Sequence, residues 1–175
     1  MSRTPRVHWP PGATPGADTP IDGAPARHLL RVLRLGPGAR FRLFDGAGRE
    51  WAMEVLSADG ERLVARATGV VTPLPEPPLG LRLLQGICRG ERMDLVIQKA
   101  VELGIADIQP VQTRRSVVRL EGKRAVRRLE HWRQVAASAC EQCGRATVPG
   151  VARPLALDAA LAARPAGGGW TGLFL

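Results

Sequence analysis

GICRGERMDLVIQKAVELGIADIQPVQ (86–112) decides the architecture of this chain. Met93, Val96, Ile97, Ala100 and Val101 recur at i, i+3 and i+4, which places apolar side chains on one face of an α-helix, and Gly104 supplies the stop. The spacing predicts a helix over 91–103. DIQPVQ (107–112) after it reads as a short strand, and LRLLQGIC (81–88) before it as a buried-strand run. From 123 to 143, Val126, Leu129, Trp132, Val135, Ala136, Ala139 and Cys140 make a core stripe opposite Arg124, Arg127, Arg128 and Arg133. A short helix over 157–163 and an apolar strand over 170–175 continue the alternation. Strands separated by helices predict an α/β layer with a mostly parallel sheet.

WTGLFL (170–175) reads as an interior strand with no turn, cap or polar tail after it, so a truncated domain is expected. Because α/β folds bind ligands beyond the carboxyl ends of their strands, much of the site is expected past Leu175.

Upstream, the prolines of VVTPLPEPPLG (70–80) fix φ, remove donors and disfavour helix, which predicts an extended strap between two domains. The division runs 1–72, a Pro-rich linker over 73–79, and 80–175. Before the strap come three β-prone runs, Arg40 to Phe44, Glu50 to Leu56 and Leu63 to Val71, separated by Asp45-Gly46-Ala47-Gly48 and Asp59-Gly60. Asp-Gly turns between such runs are hairpin signals, so a small antiparallel barrel or curled sheet is expected. In ARHLLRVLRLGPG (26–38), Leu29, Leu30, Val32 and Leu33 are placed on one face of a short helix, with Arg27, Arg31 and Arg34 on the other. Gly36-Pro37-Gly38 ends it.

With 175 residues and 45% hydrophobic content, the chain can bury a core and is globular. Its formal charge is +9, and its only lysines are Lys99 and Lys123. An Arg excess suits a polyanion, because guanidinium forks pair with phosphate and stack on bases; genome composition produces the same bias, so position has to decide. No apolar run is long enough to span a bilayer, and the first 20 residues lack the apolar core of a secretory signal. Three cysteines, Cys88, Cys140 and Cys143, do not make a disulfide framework, so a reducing cytoplasm is the simplest home.

Several chemistries are not supported. Cys140-x-x-Cys143 sits at the end of its helix, whereas a redox pair uses a helix N-terminus to lower its thiol pKa. No second ligand pair accompanies it, so no structural zinc site, and no metal, is expected. Neither a phosphate loop nor a Gly-x-Gly-x-x-Gly follows a strand. His8, His28 and His131 lie in unrelated surroundings without a neighbouring nucleophile. Lys99 and Glu102 read as a surface ion pair. Glu141, Gln142 and Arg145 gather at the end of the long helix, where side chains commonly face a site, and form the candidate functional cluster.

RVLRLGPGARFRLFDGAGREW (31–51), RGERMDLVIQKAVELGIADIQPV (89–111) and WRQVAASACEQCGRATVPGV (132–151) together resemble the RsmE family of 16S ribosomal RNA uridine-N3 methyltransferases, of the SPOUT class. The resemblance implies an N-terminal PUA-like β-barrel that helps hold RNA, and a C-terminal α/β SPOUT domain with a trefoil knot, truncated here. It further implies S-adenosylmethionine as methyl donor, a homodimer, the small ribosomal subunit as partner, and no metal. Family members continue past the position of Leu175 through loops that form most of the knot and the cofactor cradle, so this piece alone is expected to be inactive. Under this resemblance Arg145 is the candidate to orient RNA or stabilise a uracil anion, with Glu141 and Gln142 supporting it. Arg6, His28, Arg31 and Arg34 are the RNA contacts expected of the barrel, and Arg89 and Arg92 those expected of the domain junction. Aromatic side chains are few, and Trp51 and Trp132 lie on apolar stripes, which favours recognition of folded, phosphate-rich RNA over bare single strand. A non-catalytic ribosome-associated factor and a SPOUT enzyme for another RNA are the alternatives.

Overall fold

The computed structural model describes residues 4–9, 14–114, 120–163 and 171–173. Of the strand expected over 170–175, residues 170, 174 and 175 lie outside them, and 171–173 are described without strand structure.

The first sheet contains β1 (Arg6–His8), β2 (Thr19–Ile21), β3 (Arg40–Phe44), β4 (Glu50–Ala58) and β5 (Leu63–Val71), in the order β1-β3-β4-β5-β2. All pairings are antiparallel except that of β1 with β3. Its inner face follows the period of two: Trp51, Met53 and Val55 alternate inward along β4 and meet Phe41 and Leu43 of β3. Register shifts between Ala52 and Met53 and between Val55 and Ser57 bend the β4–β5 pair and curl the sheet. The β3–β4 turn is held by Asp45, whose carboxylate accepts the Ala47 and Arg49 N–H groups at 2.8 and 3.0 Å.

One end of the sheet is closed by α1 (Gly23–Arg27), continued by a π-helical turn over His28–Val32. Ala26 and Leu29 are fully buried there, and Leu30 and Leu33 pack at the margin. Val32, placed by sequence on the apolar face, is 66% exposed. The wider π turn rotates the following side chains, so an i, i+3, i+4 projection assigns this residue to the wrong side.

After the exposed Pro-rich strap, β6 (Arg82–Gly86), α2 (Arg92–Glu102), β7 (Asp107–Gln112), α3 (Gly122–Cys143), β8 (Gly150–Val151), β9 (Leu155–Ala156) and α4 (Leu157–Ala162) form the α/β layer. The sheet is parallel, with β7 between β6 on one side and β8 and β9 on the other. The ladder breaks between β8 and β9 opposite Gln109 and Pro110, where proline has no N–H to give. Gln109, 2% exposed, bridges the break by donating to the Pro110 and Arg153 carbonyls at 2.9 and 2.8 Å. β6, expected to be buried, is half-buried along its whole length. α2 and α3 pack through Met93, Ile97 and Val101 against Leu129, Trp132 and Ala136, while Val126, expected in that stripe, is 52% exposed. Phe44, at the end of β3, belongs to this second core and ties the two sheets together.

Candidate functional site

The junction between the sheets is organised by Arg6, which is 7% exposed. Its Nε and Nη2 donate to the two carboxylate oxygens of Glu50 at 3.0 Å each, the fork geometry natural to guanidinium. Nη1 donates to the Cys140 carbonyl at 2.6 Å and Nη2 also to the Arg145 carbonyl at 3.1 Å, both around the end of α3. A cation is favoured at that helix end by the dipole, and the Phe44 ring lies 4.6 Å from the guanidinium carbon. This corrects the expectation that Arg6 contacts RNA. A buried guanidinium whose three nitrogens all donate within the protein is not presented to phosphate, and its role is to fix β1 and β4 against α3.

The cluster expected at the end of α3 does not converge on one open site. Gly144 terminates the helix at φ 97, and its N–H donates to the Cys140 carbonyl at 3.0 Å. The reversal sends Arg145 toward the strap, where Nη2 and Nε donate to Glu76 Oε2 at 2.6 and 3.0 Å. Nη1 donates to the Val101 and Ile105 carbonyls at 3.0 Å each, at the end of α2. Glu141 Oε1 accepts the His8 backbone N–H at 2.9 Å, across the domain junction. Gln142 is exposed and borders a groove between α2 and α3, beside Gln98 and Ser138. Glu141 therefore holds the two domains together, Arg145 fastens the strap to the end of α2, and Gln142 faces another way.

The cysteines behave as packing residues. Burial, with Cys143 adding to it, pushes the Cys140 thiol up to about 12, so it stays protonated and inert. Its Sγ–H donates to the Thr147 carbonyl at 3.6 Å. Lys99 and Glu102 make the expected surface pair at 2.7 Å.

Arg31 and Arg34 on the barrel, and Arg89 and Arg92 after β6, are exposed and make no ion pair among the described residues; His28 is half-buried. Arg34 takes a left-handed backbone, φ 54, at the end of the π turn. Arg27 and Arg31 line a cavity of about 310 Å³ that Glu61 also borders. Arg89 and Arg92 follow the carboxyl end of β6, the end at which α/β sheets bind ligands. In the sequence His8 stands as an isolated histidine, Arg133 as part of the basic face of α3, and Asp107 carries no signal; only the fold brings the three to one cavity at the domain junction. Among the described residues, no group of three His, Cys, Asp or Glu side chains could hold a metal, and no helix is long and apolar enough to cross a membrane.

A curled sheet with exposed arginines, joined through Arg6 to a parallel α/β layer, defines a two-domain β-plus-α/β protein. Residues 21–67 match the family model for an RNA methyltransferase PUA domain, and residues 75–169 match that for an RNA methyltransferase domain. The chain belongs to the ribosomal RNA small subunit methyltransferase E family. Its similarity to the Bacillus subtilis ribosomal RNA small subunit methyltransferase E is 30% identity over 131 residues, covering 75% of this chain and 51% of the relative. The Mycobacterium bovis relative of the same name is 32% identical over 138 residues, covering 78% of this chain and 52% of the relative. A crystal structure of the Neisseria gonorrhoeae enzyme bound to S-adenosyl methionine matches with TM-score 0.88 and 38% identity, over 94% of this chain and 67% of that one. A Legionella pneumophila methyltransferase with SAM bound matches with TM-score 0.88 and 31% identity, over 93% and 67%. The chain spans about half the length of the curated relatives it matches.

Among the described residues, the carboxyl end of β6 is an edge at which an α/β sheet takes a ligand. Around the carboxyl end of β6, the Gly86 carbonyl already accepts from Gln85 Nε2 at 2.8 Å and from the Cys88 thiol at 3.4 Å. Cavities of about 310–410 Å³ are found on the barrel, at the domain junction and between α2 and α3.

Proposed function

We propose that the protein to which this chain belongs methylates N3 of a uridine in the 16S rRNA of the small ribosomal subunit, with S-adenosylmethionine as donor. It acts in the cytoplasm, as a homodimer, in ribosome biogenesis. The domains run 1–72 and 80–175 with a linker over 73–79. The observation that carries this reading is the serial match of both domains to one RNA methyltransferase family, on a chain whose barrel and α/β layer are clamped in one orientation by Arg6. The donor-bound Neisseria and Legionella relatives support the choice of donor.

The bound donor supplies an electrophilic methyl group. What this chain contributes is RNA placement. Uracil N3–H is about as weak an acid as a tyrosine phenol, roughly pKa 10, so the nitrogen reacts only where position and a favourable field help its proton to leave. Arg31 and Arg34, with His28 beside them, hold RNA phosphates on the barrel, and Arg89 and Arg92 continue the contact at the carboxyl end of β6. Arg6 and Glu141 act at one remove, by fixing the angle between the two RNA-bearing surfaces, Arg145 by holding the strap to α2, and Gln142 supports the end of α3.

Calorimetric titration of S-adenosylmethionine into the product of the complete reading frame, followed by methyl transfer to small subunits, tests the reading. Binding and transfer to a uridine N3 support it; no binding sinks the enzyme and leaves a basic rRNA-binding factor. In the same protein, replacing both Arg31 and Arg34 by Ala should weaken RNA binding and lower its log–log salt slope by about 2. An unchanged slope would remove both from the interface.

A further inference from the structure

A cavity of about 410 Å³ opens where the β3–β4 turn of the barrel meets α3 and the start of β8. None of the contacts assigned above uses it. Its size suits one nucleotide unit rather than a peptide or a duplex.

The cavity is open partly because of a missing side chain. Gly46 sits at φ +74, and a Cβ there would approach His8 Nε2 to 2.8 Å. Ala137 and Val148 supply small apolar surface. The His8 imidazole, tilted against Phe44 with ring centroids 5.4 Å apart, is held below its ordinary pKa by burial and is neutral at pH 7. An uncharged aromatic ring beside small apolar side chains suits a planar base.

Beside Asp45, whose carboxylate is already paired with Arg49 at 2.6 Å, two charged groups of opposite sign border this surface without neutralising each other. Arg133 donates through Nε to the Val151 carbonyl at 3.2 Å, which orients its guanidinium and leaves the terminal nitrogens without an ion-pair partner among the described residues. Asp107, at the first residue of β7, is exposed, and its Oδ1 lies 2.7 Å from where a Cβ on Gly150 would stand. Any side chain at 150 would displace the carboxylate. An ionised carboxylate only accepts hydrogen bonds. A ligand here must therefore bring donors to Asp107 and an anionic group to Arg133.

Among RNA bases only guanine carries two adjacent donors, N1–H and the N2 amine, on one edge. Adenine and cytosine offer an amine next to an acceptor, and the single imide N–H of uracil is flanked by two carbonyls. We propose that this junction cavity binds one unpaired guanine nucleotide of the substrate RNA, its N1–H and N2–H donating to Asp107 and its phosphate pairing with Arg133. Asp107 and Gly150 lie at the amino ends of β7 and β8, the opposite edge of the sheet from the carboxyl ends. The site is thus an anchor that sets the register of the RNA, separate from the centre of methyl transfer. The proposal rests on the reading of the protein as an RNA methyltransferase.

The test uses the full-length protein and GMP, AMP and UMP as probes, followed by amide chemical shifts and calorimetry. GMP should bind saturably and at least tenfold more tightly than AMP or UMP, moving the amides of Gly46, Ala137 and Gly150. Asp107→Asn, a conservative change at an exposed position, should abolish the preference for guanine while leaving the far-ultraviolet spectrum unchanged. Ala137→Trp should fill the cavity and remove binding altogether. With a 16S rRNA fragment, Asp107→Asn should weaken binding about tenfold at an unchanged salt slope, whereas Arg133→Ala should lower the slope by about 1. Absence of GMP binding, equal affinity for the three nucleotides, or an undiminished guanine preference in Asp107→Asn would each overturn the proposal. Failure of the methyltransferase reading shows up separately, as wild-type protein that binds GMP here yet transfers no methyl to small subunits.

Discussion

At Arg6 a single guanidinium satisfies a buried carboxylate and two carbonyls from another domain, so its removal has consequences on both sides of the junction. Glu50 is 2% exposed, and stripping one partner from a buried ion pair leaves an uncompensated charge, which typically costs about 3–5 kcal/mol. Arg42 stands 3.7 Å from the same carboxylate but is 44% exposed, so it relieves only part of that cost. Arg6→Met should therefore lower the unfolding free energy of the full-length protein by about 3 kcal/mol in urea titration. The double variant with Glu50→Gln should recover more than half of the loss, because the orphaned charge disappears with its partner. A loss within about 0.5 kcal/mol, the range of ordinary surface substitutions, would show that the pair does not clamp the domains.

Where α3 ends decides where Arg145 and the following loop go, and that turn depends on the left-handed backbone of Gly144 at φ 97. A Cβ in this region costs roughly 1–2 kcal/mol. Gly144→Ala should lower the melting temperature by about 3 °C or more in a chain of this size, read by calorimetry. It should also raise protease cleavage within 73–80, since Arg145 ties Glu76 of the strap to the end of α2. An unaltered melting point would mean that the turn tolerates another geometry. Elements of this length were legible in the sequence because they carry a long periodic signal: α2, α3 and β7 fall within a residue or two of expectation. β1 and β2, three residues each, offer no period to read and exist only through pairing with distant strands. The site was less legible for the same reason. A cluster at a helix end does signal contact, but sequence alone does not distinguish contact with RNA from contact within the protein, and Arg6 and Glu141 reach the neighbouring domain while Arg145 holds the strap and the end of α2.

Across the whole molecule, the two sheets meet at groups that titrate, so the stability of the junction depends on pH. Burial holds the His8 imidazole below its ordinary value of 6.5, although Glu141 and Asp45 pull it upward. The unfolded chain therefore takes up a proton near pH 6.5 that the folded chain refuses until lower pH. More protons bound in the unfolded state means that stability rises with pH through this window. The contribution of His8 is complete above the unfolded value and is lost as pH falls from 6.5 through the folded pKa. A second loss comes at lower pH. Asp45 is desolvated, which raises its pKa, but the Arg49 and Ala47 N–H groups and the Arg49 side chain outweigh this and hold it below 3.8. Its contribution is present above 3.8 and disappears as pH falls through the folded value. Urea midpoints of the full-length protein, measured from pH 8 down to pH 5, should decline below about pH 6.5. The same series with His8→Gln should be flatter over that interval, because Gln keeps an amide where the imidazole stood and does not titrate. If the two series run parallel, the pH dependence arises elsewhere, and the imidazole is as free to charge in the folded chain as in the unfolded one.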